Sequence, residues 1–335
     1  MKFLIVGPAW VGDMVMAQSL FKHLKTRYGT DTIIDVVAPA WSLPVLDRMP
    51  EVRRGIALDV KHGEFGWSVR KTLGESLRAE GYDRAIVMPI TWKSALVPFF
   101  AKIPVRTGFI GEMRFGLIND LRSRKRAGEK TVIRYVLLGM EKNEPLPELS
   151  AVPFPGLKPR SAEAAIKRLG LTLDKPVVAL FPGAEYGPAK QWPIEHYAQL
   201  AALLEEAGKQ VWVFGSEKEQ KLGDRIAADT NAVNLCGQTT LAEAIDLIAL
   251  VESAVTNDSG LMHVAAALEV PLVAIYGSSS PERTPPLSRK AAFMQGSLEC
   301  SPCYKKVCPF GHTNCLNIIR PIQILKSLQN TQQGT

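Results

Sequence analysis

Short apolar runs alternate with longer amphipathic ones along most of the chain. In the first half the runs FLIV (3–6), IIDVVA (33–38), GIALDV (55–60) and AIVM (85–88) read as strands. Between them the pattern predicts helices over about 13–28, 42–48 and 67–80, and another around Ser94. Strands this uniformly apolar, spaced by helices of this length, fit a parallel sheet covered on both faces. Residues 141–160, with five prolines and one glycine, then break the rhythm. They read as an interdomain linker.

The alternation resumes with VVALFPG (177–183), VWVFGS (211–216), SAVTND (253–258) and PLVAIYGSSS (271–280). Helices are expected over about 195–207, from there through Asp229 after the second strand, over 241–251 and from about Ser259. The chain therefore reads as two Rossmann-like α/β domains, 1–150 and 151–325. The last helix is expected to pack back on the first domain, with a tail from 326 that is disordered over 329–335.

A length of 335 residues agrees with two cores of about 150 residues each. Composition, 46% apolar and 22% charged, is that of a soluble globular chain. No signal-like apolar segment follows Met1, which leads us to expect a cytoplasmic protein. The most apolar long stretch, 85–105, is interrupted by Lys93, Lys102 and three prolines, so it cannot span a membrane as a helix. The net charge of +7 favours an acidic partner without choosing among nucleic acid, anionic lipid and a phosphorylated small molecule.

Two Rossmann-like halves suit either a dinucleotide enzyme with a substrate domain or the two-domain glycosyltransferase architecture called GT-B. The first turn, GPAWVGDM (7–14), has the glycine spacing of a Walker A loop, but Asp13 and Met14 stand where Lys and Ser/Thr belong. G-x-G-x-x-G fails as well, because Ala9 and bulky Trp10 occupy the wrong places. Phosphate is therefore not expected here. The strand-to-helix turn instead places Asp13 at the carboxyl edge of the sheet, in the first turn of a helix that favours its ionised form. Proton acceptor and simple helix cap both fit that position.

The second half carries the anion-binding signals. In FPGAEYGPAKQWP (181–193) small residues, Gly183 among them, let backbone amides approach an anion, and Lys190 supplies a point charge for a diphosphate. A surface loop with a solvated lysine is the bland alternative. TNDSGLMH (256–263) gives Asp258, Ser259 and Gly260 at a second helix start on the same edge, with His263 one turn on. Part of that signal is helix initiation alone. FGSEKE (214–219) adds carboxylates beyond a third strand, of which Glu219 rather than Glu217 is the candidate for a ribose hydroxyl pair.

GPAWVGD, FPGAEYGPAKQWP, FGSEKE and NDSGLMHVAAAL, in this order and at these separations, resemble the ADP-heptose:lipopolysaccharide heptosyltransferases of glycosyltransferase family 9. Within the family the likeness is greatest to the members that act second. It spans residues 1 to about 327. The resemblance implies a GT-B fold, with two Rossmann-like domains facing across a cleft. It also implies inverting transfer of L-glycero-D-manno-heptose from ADP-heptose to the first heptose of a heptosyl-Kdo-lipid A acceptor. The relatives that add the first or a later heptose are the alternative within the family. By motif position Asp13 matches the general base, Lys190 the donor-phosphate ligand, and Asp258, Ser259, Gly260 and His263 the donor-binding turn. Thr239 matches an adenosine-side position on the family's authority alone. A monomer working at the inner face of the inner membrane, without cofactor, nucleic acid or transmembrane segment, completes the expectation.

The chemistry agrees with that likeness. One in-line displacement needs a carboxylate against the acceptor hydroxyl, and cationic and amide groups around the departing ADP. No Asp-x-Asp occurs in the chain, so metal-independent catalysis is expected. An oxidoreductase would need the failed glycine fingerprint, a non-catalytic nucleotide-sugar sensor would not need Asp13, and an epimerase would need no acceptor.

Residues 102–134 hold nine basic side chains against Glu112, Asp120 and Glu129. This stretch could hold the anionic groups of the acceptor, with Arg106 and Arg114 beside glycines as the chosen contacts, or it could be a solvated loop. Finally Cys300-x2-Cys303-x4-Cys308-x6-Cys315 offers enough ligands for a tetrahedral zinc, although the second pair lacks knuckle spacing. Incidental reduced thiols are the other reading, and nothing in the transfer step asks for a metal there.

Overall fold

The computed structural model describes residues 1–61, 63–128 and 130–333, with 127, 332 and 333 given by backbone alone. Glu129 and the last two residues of the expected tail lie outside the described residues. The chain forms two compact units, Met1–Lys158 and Pro159 onward.

The first unit contains β1 (Lys2–Val6), β2 (Ile33–Ala38), β3 (Arg54–Ala57), β4 (Arg84–Val87), β5 (Val105–Phe109) and β6 (Asp120–Arg122). They pair all in parallel in the order β3-β2-β1-β4-β5-β6. The second unit contains β7 (Val177–Phe181), β8 (Gln210–Val213), β9 (Val233–Asn234), β10 (Ser253–Asn257), β11 (Leu272–Tyr276) and β12 (Ala291–Gln295). Its order, β12-β11-β10-β7-β8-β9, is the same winding read from the other end. Every residue of β7, β10 and β11 is buried, as strands covered on both faces must be. Each sheet reverses its strand order once, between β1 and β4 and between β7 and β10. Those switch points are where open α/β sheets leave room for ligands.

Asp35 interrupts the apolar run of β2 and is fully buried. Arg53 (2.8 Å), Arg54 (3.0 Å) and the Tyr82 hydroxyl (2.5 Å) donate to it. Burial alone would raise its pKa, but these bonds outweigh the desolvation and hold it below the ordinary carboxylate value.

The basic stretch 102–134 proves to contain two strands and part of a helix, Thr131–Leu137. Arg106 and Thr107 inside β5, and the mere three residues of β6, hid them. The unit boundary falls within the proline-rich segment, later than residue 150, because the segment straps back onto the first unit. Gln18 exchanges hydrogen bonds with the Gly156 backbone at 2.8 and 2.9 Å, and Lys158 N–H donates to Arg48 O at 2.9 Å. The expected disordered tail is also corrected. A helix runs Pro321–Gln333, and its Ile324 and Leu328 are buried in the second unit's core with Leu200 and Leu204. Each such side chain contributes about 1.5–3 kcal/mol. Among the described residues no helix is long and apolar enough to cross a membrane.

Candidate functional site

At the switch point of the first sheet, β1 ends at Val6 and the chain turns into the helix Val11–Tyr28. Gly7 leaves space that the core fills: a Cβ there would meet Met14 Cε at 2.7 Å and Val36 Cγ1 at 3.1 Å, so both side chains would have to shift. Trp10, not Asp13, is the N-cap, and its side chain makes no capping bond. Asp13 stands in the first turn, where the helix dipole favours its charge. The Tyr135 hydroxyl donates to Asp13 Oδ1 at 2.7 Å. Burial, and then the Asp13 charge, push Tyr135 well above the usual phenol value, which keeps it a proton donor. This partner went unnoticed in the sequence, because it lies 122 residues from Asp13, just past a stretch that reads as merely basic.

At the switch point of the second sheet the loops after β7 and β10 come together. Lys190 closes a short 3-10 turn, Pro188–Lys190, and its Nζ lies 2.5 Å from Asp258 Oδ2 and 4.9 Å from the Tyr186 ring. The pair is largely withdrawn from water, with side chains 16% and 5% exposed. Thr284 Oγ1 donates to the other Asp258 oxygen at 3.4 Å. Ser259 is the N-cap of the helix Gly260–Ala267, and its hydroxyl is 3.3 Å from that of Thr256.

Asn257, which the sequence offers only as one of three helix-initiating residue types, fixes both loops. Its Nδ2 donates to Pro182 O (2.7 Å), and its Oδ1 accepts from Trp192 N–H (3.0 Å) and the Tyr197 hydroxyl (3.1 Å). The end of β10 is thereby tied to both ends of the lysine loop. His263 lies beneath, 5% exposed. Burial pushes its pKa down to about 4, opposed by the Asp258 charge and assisted by that of Lys190, so the imidazole is neutral. One cation is thus held against one carboxylate, next to free helix-start amides. That arrangement can lend its positive charge to an incoming diphosphate.

Glu219 curls back over Gly183, where a Cβ would meet Glu219 Oε1 at 1.7 Å. Its Oε2 accepts from Ser216 N–H (2.6 Å) and Oγ (3.0 Å), so it completes a capping box as well as bordering the loop. Thr239 follows β9 and precedes Thr240, which caps the helix Leu241–Ile248 in a second capping box with Glu243. In strand order β9 lies three places from β10, so Thr239 sits well along the sheet edge from Lys190.

The two arginines chosen for the acceptor are differently employed. Arg114 is fully buried, and its guanidinium donates to Phe109 O (2.8 Å), Pro89 O (2.7 Å) and Ser94 Oγ (3.1 Å). Burial lowers its pKa to about 10. Arg106 donates to the carbonyls of Leu117 (2.6 Å), Ile103 (2.6 Å) and Gly116 (3.0 Å). Both hold the 110–119 loop in place, and Arg114 offers nothing to a ligand from where it lies. All five cysteines are free thiols.

Three comparisons with known proteins bear on this arrangement. Residues 70–314 match the family model described as Glycosyltransferase family 9 (heptosyltransferase). The chain is 46% identical to lipopolysaccharide heptosyltransferase 2 of Salmonella typhimurium over 98% of each chain. It is 46% identical to lipooligosaccharide heptosyltransferase 2 of Haemophilus influenzae over 88% of each. The solved structure of E. coli ADP-heptose lps heptosyltransferase II superposes with a TM-score of 0.87 at 44% identity, covering 100% of this chain and 99% of that one.

Proposed function

Because the chain belongs to glycosyltransferase family 9, the heptosyltransferase family, and is a glycosyltransferase of GT-B type, we propose that it moves heptose from ADP-heptose onto the first heptose of a heptosyl-Kdo-lipid A acceptor. The near full-length identity to relatives named heptosyltransferase 2 supports the position. The observation that carries the chemistry is the occupancy of the two switch points, Asp13 with Tyr135 on one sheet and Lys190 with Asp258 on the other.

In this reading Asp13 takes the proton of the acceptor hydroxyl as that oxygen attacks the anomeric carbon from the face opposite the nucleotide. Inversion follows from the single displacement. Tyr135 holds the carboxylate in place through Oδ1. Lys190 and the amides at Ser259 and Gly260 take up the charge of the departing diphosphate, while Asp258 aims Lys190 Nζ and Asn257 holds the loops. Gly183 leaves backbone room for the donor, Glu219 and Thr239 face its nucleoside, and buried neutral His263 supports the turn. No step calls for a metal.

The acceptor is a lipid, so the enzyme would work at the cytoplasmic face of the inner membrane. Exposed Trp10, Trp41, Phe65, Trp67, Met113 and Phe115 on the first unit support that placement. Aromatic rings beside basic side chains suit an anionic lipid interface.

The test incubates the protein, in EDTA, with ADP-heptose and acceptors carrying one heptose or none, and follows ADP release. Turnover on the one-heptose acceptor is expected. Preference for the heptose-free acceptor would move the enzyme one step earlier, and inactivity reversed by a divalent ion would end the metal-free reading.

A further inference from the structure

The transfer chemistry makes no use of residues 300–315, yet four of the chain's five cysteines fall within them. Cys300, Cys303, Cys308 and Cys315 all line one cavity of about 20 Å³, and all are free thiols. A space that size holds about one small sphere. Ser278 lines the same cavity, 1% exposed, and its hydroxyl has no partner. The Gly311 N–H donates to Cys308 O at 3.1 Å and closes a tight turn there. Tyr304 and Thr313 hold φ of +56° and +45°, left-handed conformations that a non-glycine residue rarely adopts.

We infer that the four cysteines form a tetrathiolate site for a single tetrahedral metal ion, zinc by its ligand set. Among the described residues no three such side chains already stand in coordinating geometry, so the thiols must draw inward around the ion. On binding, Zn²⁺ replaces the four S–H protons, which pass to water, and the site carries two net negative charges. The adjoining Lys305 and Lys306 offset them. The Ser278 hydroxyl gains a sulfur to donate to.

The ion would act by position. Ala189 N–H donates to Lys306 O (3.1 Å), Tyr304 N–H to Ser278 O (2.6 Å) and the Tyr186 hydroxyl to Tyr304 O (2.9 Å). A Cβ at Gly187 would lie 2.4 Å from Lys306 O. The cysteine segment is therefore the backing of the loop that carries Lys190. This last link rests on the proposed function; the metal site itself does not.

The experiment measures metal content of the full-length protein after EDTA washing, then titrates it with a mercurial in the presence of a zinc-sensitive dye. About one zinc per chain is expected, released as four thiols react. Iron in the same amount, with visible charge-transfer absorption, would keep the tetrathiolate site and overturn zinc. Protein without stoichiometric metal, whose four thiols react at once with Ellman's reagent, would overturn the site. Cys303→Ser should lose the metal, melt lower and raise KM for ADP-heptose more than it lowers kcat. If that variant does not fold, the titration of the unaltered protein decides. A chain that binds zinc but transfers no heptose would sink the function alone, and an active chain without metal would sink this inference alone.

Discussion

The two units wind their six strands in the same order, yet their switch points are furnished in opposite senses. After β1 the chain presents a carboxylate, Asp13, whose Oδ1 accepts a hydrogen bond from the Tyr135 hydroxyl. After β7 and β10 it presents a cation, Lys190, steadied by a carboxylate that does cancel it until a ligand intervenes. A base must keep its charge available to receive a proton, and a hydroxyl donor costs it little of that. A phosphate ligand must be held firmly without a phosphate present, and a paired carboxylate does so. Fold alone decides where a site lies; the partner of each charged group decides which chemistry it serves.

Removing the base should break the comparison most completely. Asp13→Asn is expected to lower kcat about 10²–10⁴-fold, with KM for ADP-heptose changed only a few-fold, as read by ADP release. A loss confined to KM would mean that Asp13 binds rather than reacts.

Next in size is the ion pair. Lys190→Met leaves Asp258, 5% exposed, without its cation, and should cost about 3 kcal/mol, the low end for a buried pair because the lysine retains some contact with water. Adding Asp258→Asn should restore most of the melting temperature and none of the activity. Recovery of both together would show the pair to be structural only.

His263 sharpens the contrast through pH. Its pKa is about 4 in the folded protein against an ordinary 6.5, so below pH 6.5 the unfolded chain takes up a proton that the folded chain refuses. Stability from this group is complete above pH 6.5 and drains away as pH falls toward 4, by about 3 kcal/mol in all. Urea titrations of the protein and of His263→Gln should therefore diverge in slope across that window. Parallel curves would mean that the histidine is protonated in the fold.

Much of this was legible in the sequence, and the limits have physical causes. Strands buried on both faces announce themselves, so β1, β2, β4, β7, β8, β10 and β11 were readable. Edge strands such as β12, half-exposed, and β6, three residues long, carry no such pattern. Asp13, Lys190 and Asp258 stood out as candidates because each lies in the segment that leaves the carboxyl end of a strand. Arg114 misled because charge near glycine looks like a ligand site. Only the fold shows its guanidinium spent on carbonyls. Tyr135 was invisible for the converse reason: its meaning is a single contact made across the tertiary structure.

That contact yields the smallest effect and the most specific one. Tyr135→Phe deletes the hydroxyl that donates to Asp13 Oδ1 and leaves the ring in place. A hydroxyl bond to an ionised carboxylate contributes about 1.5 kcal/mol at the low end of its range, so kcat should fall about tenfold. Loss of packing would lower the rate equally at every pH. Loss of a donor to the ionised base should also shift the acid limb of the kcat profile upward, because the carboxylate then holds a proton more readily. If the rate falls while the limb stays where it was, Tyr135 shapes the pocket and has no hold on the base.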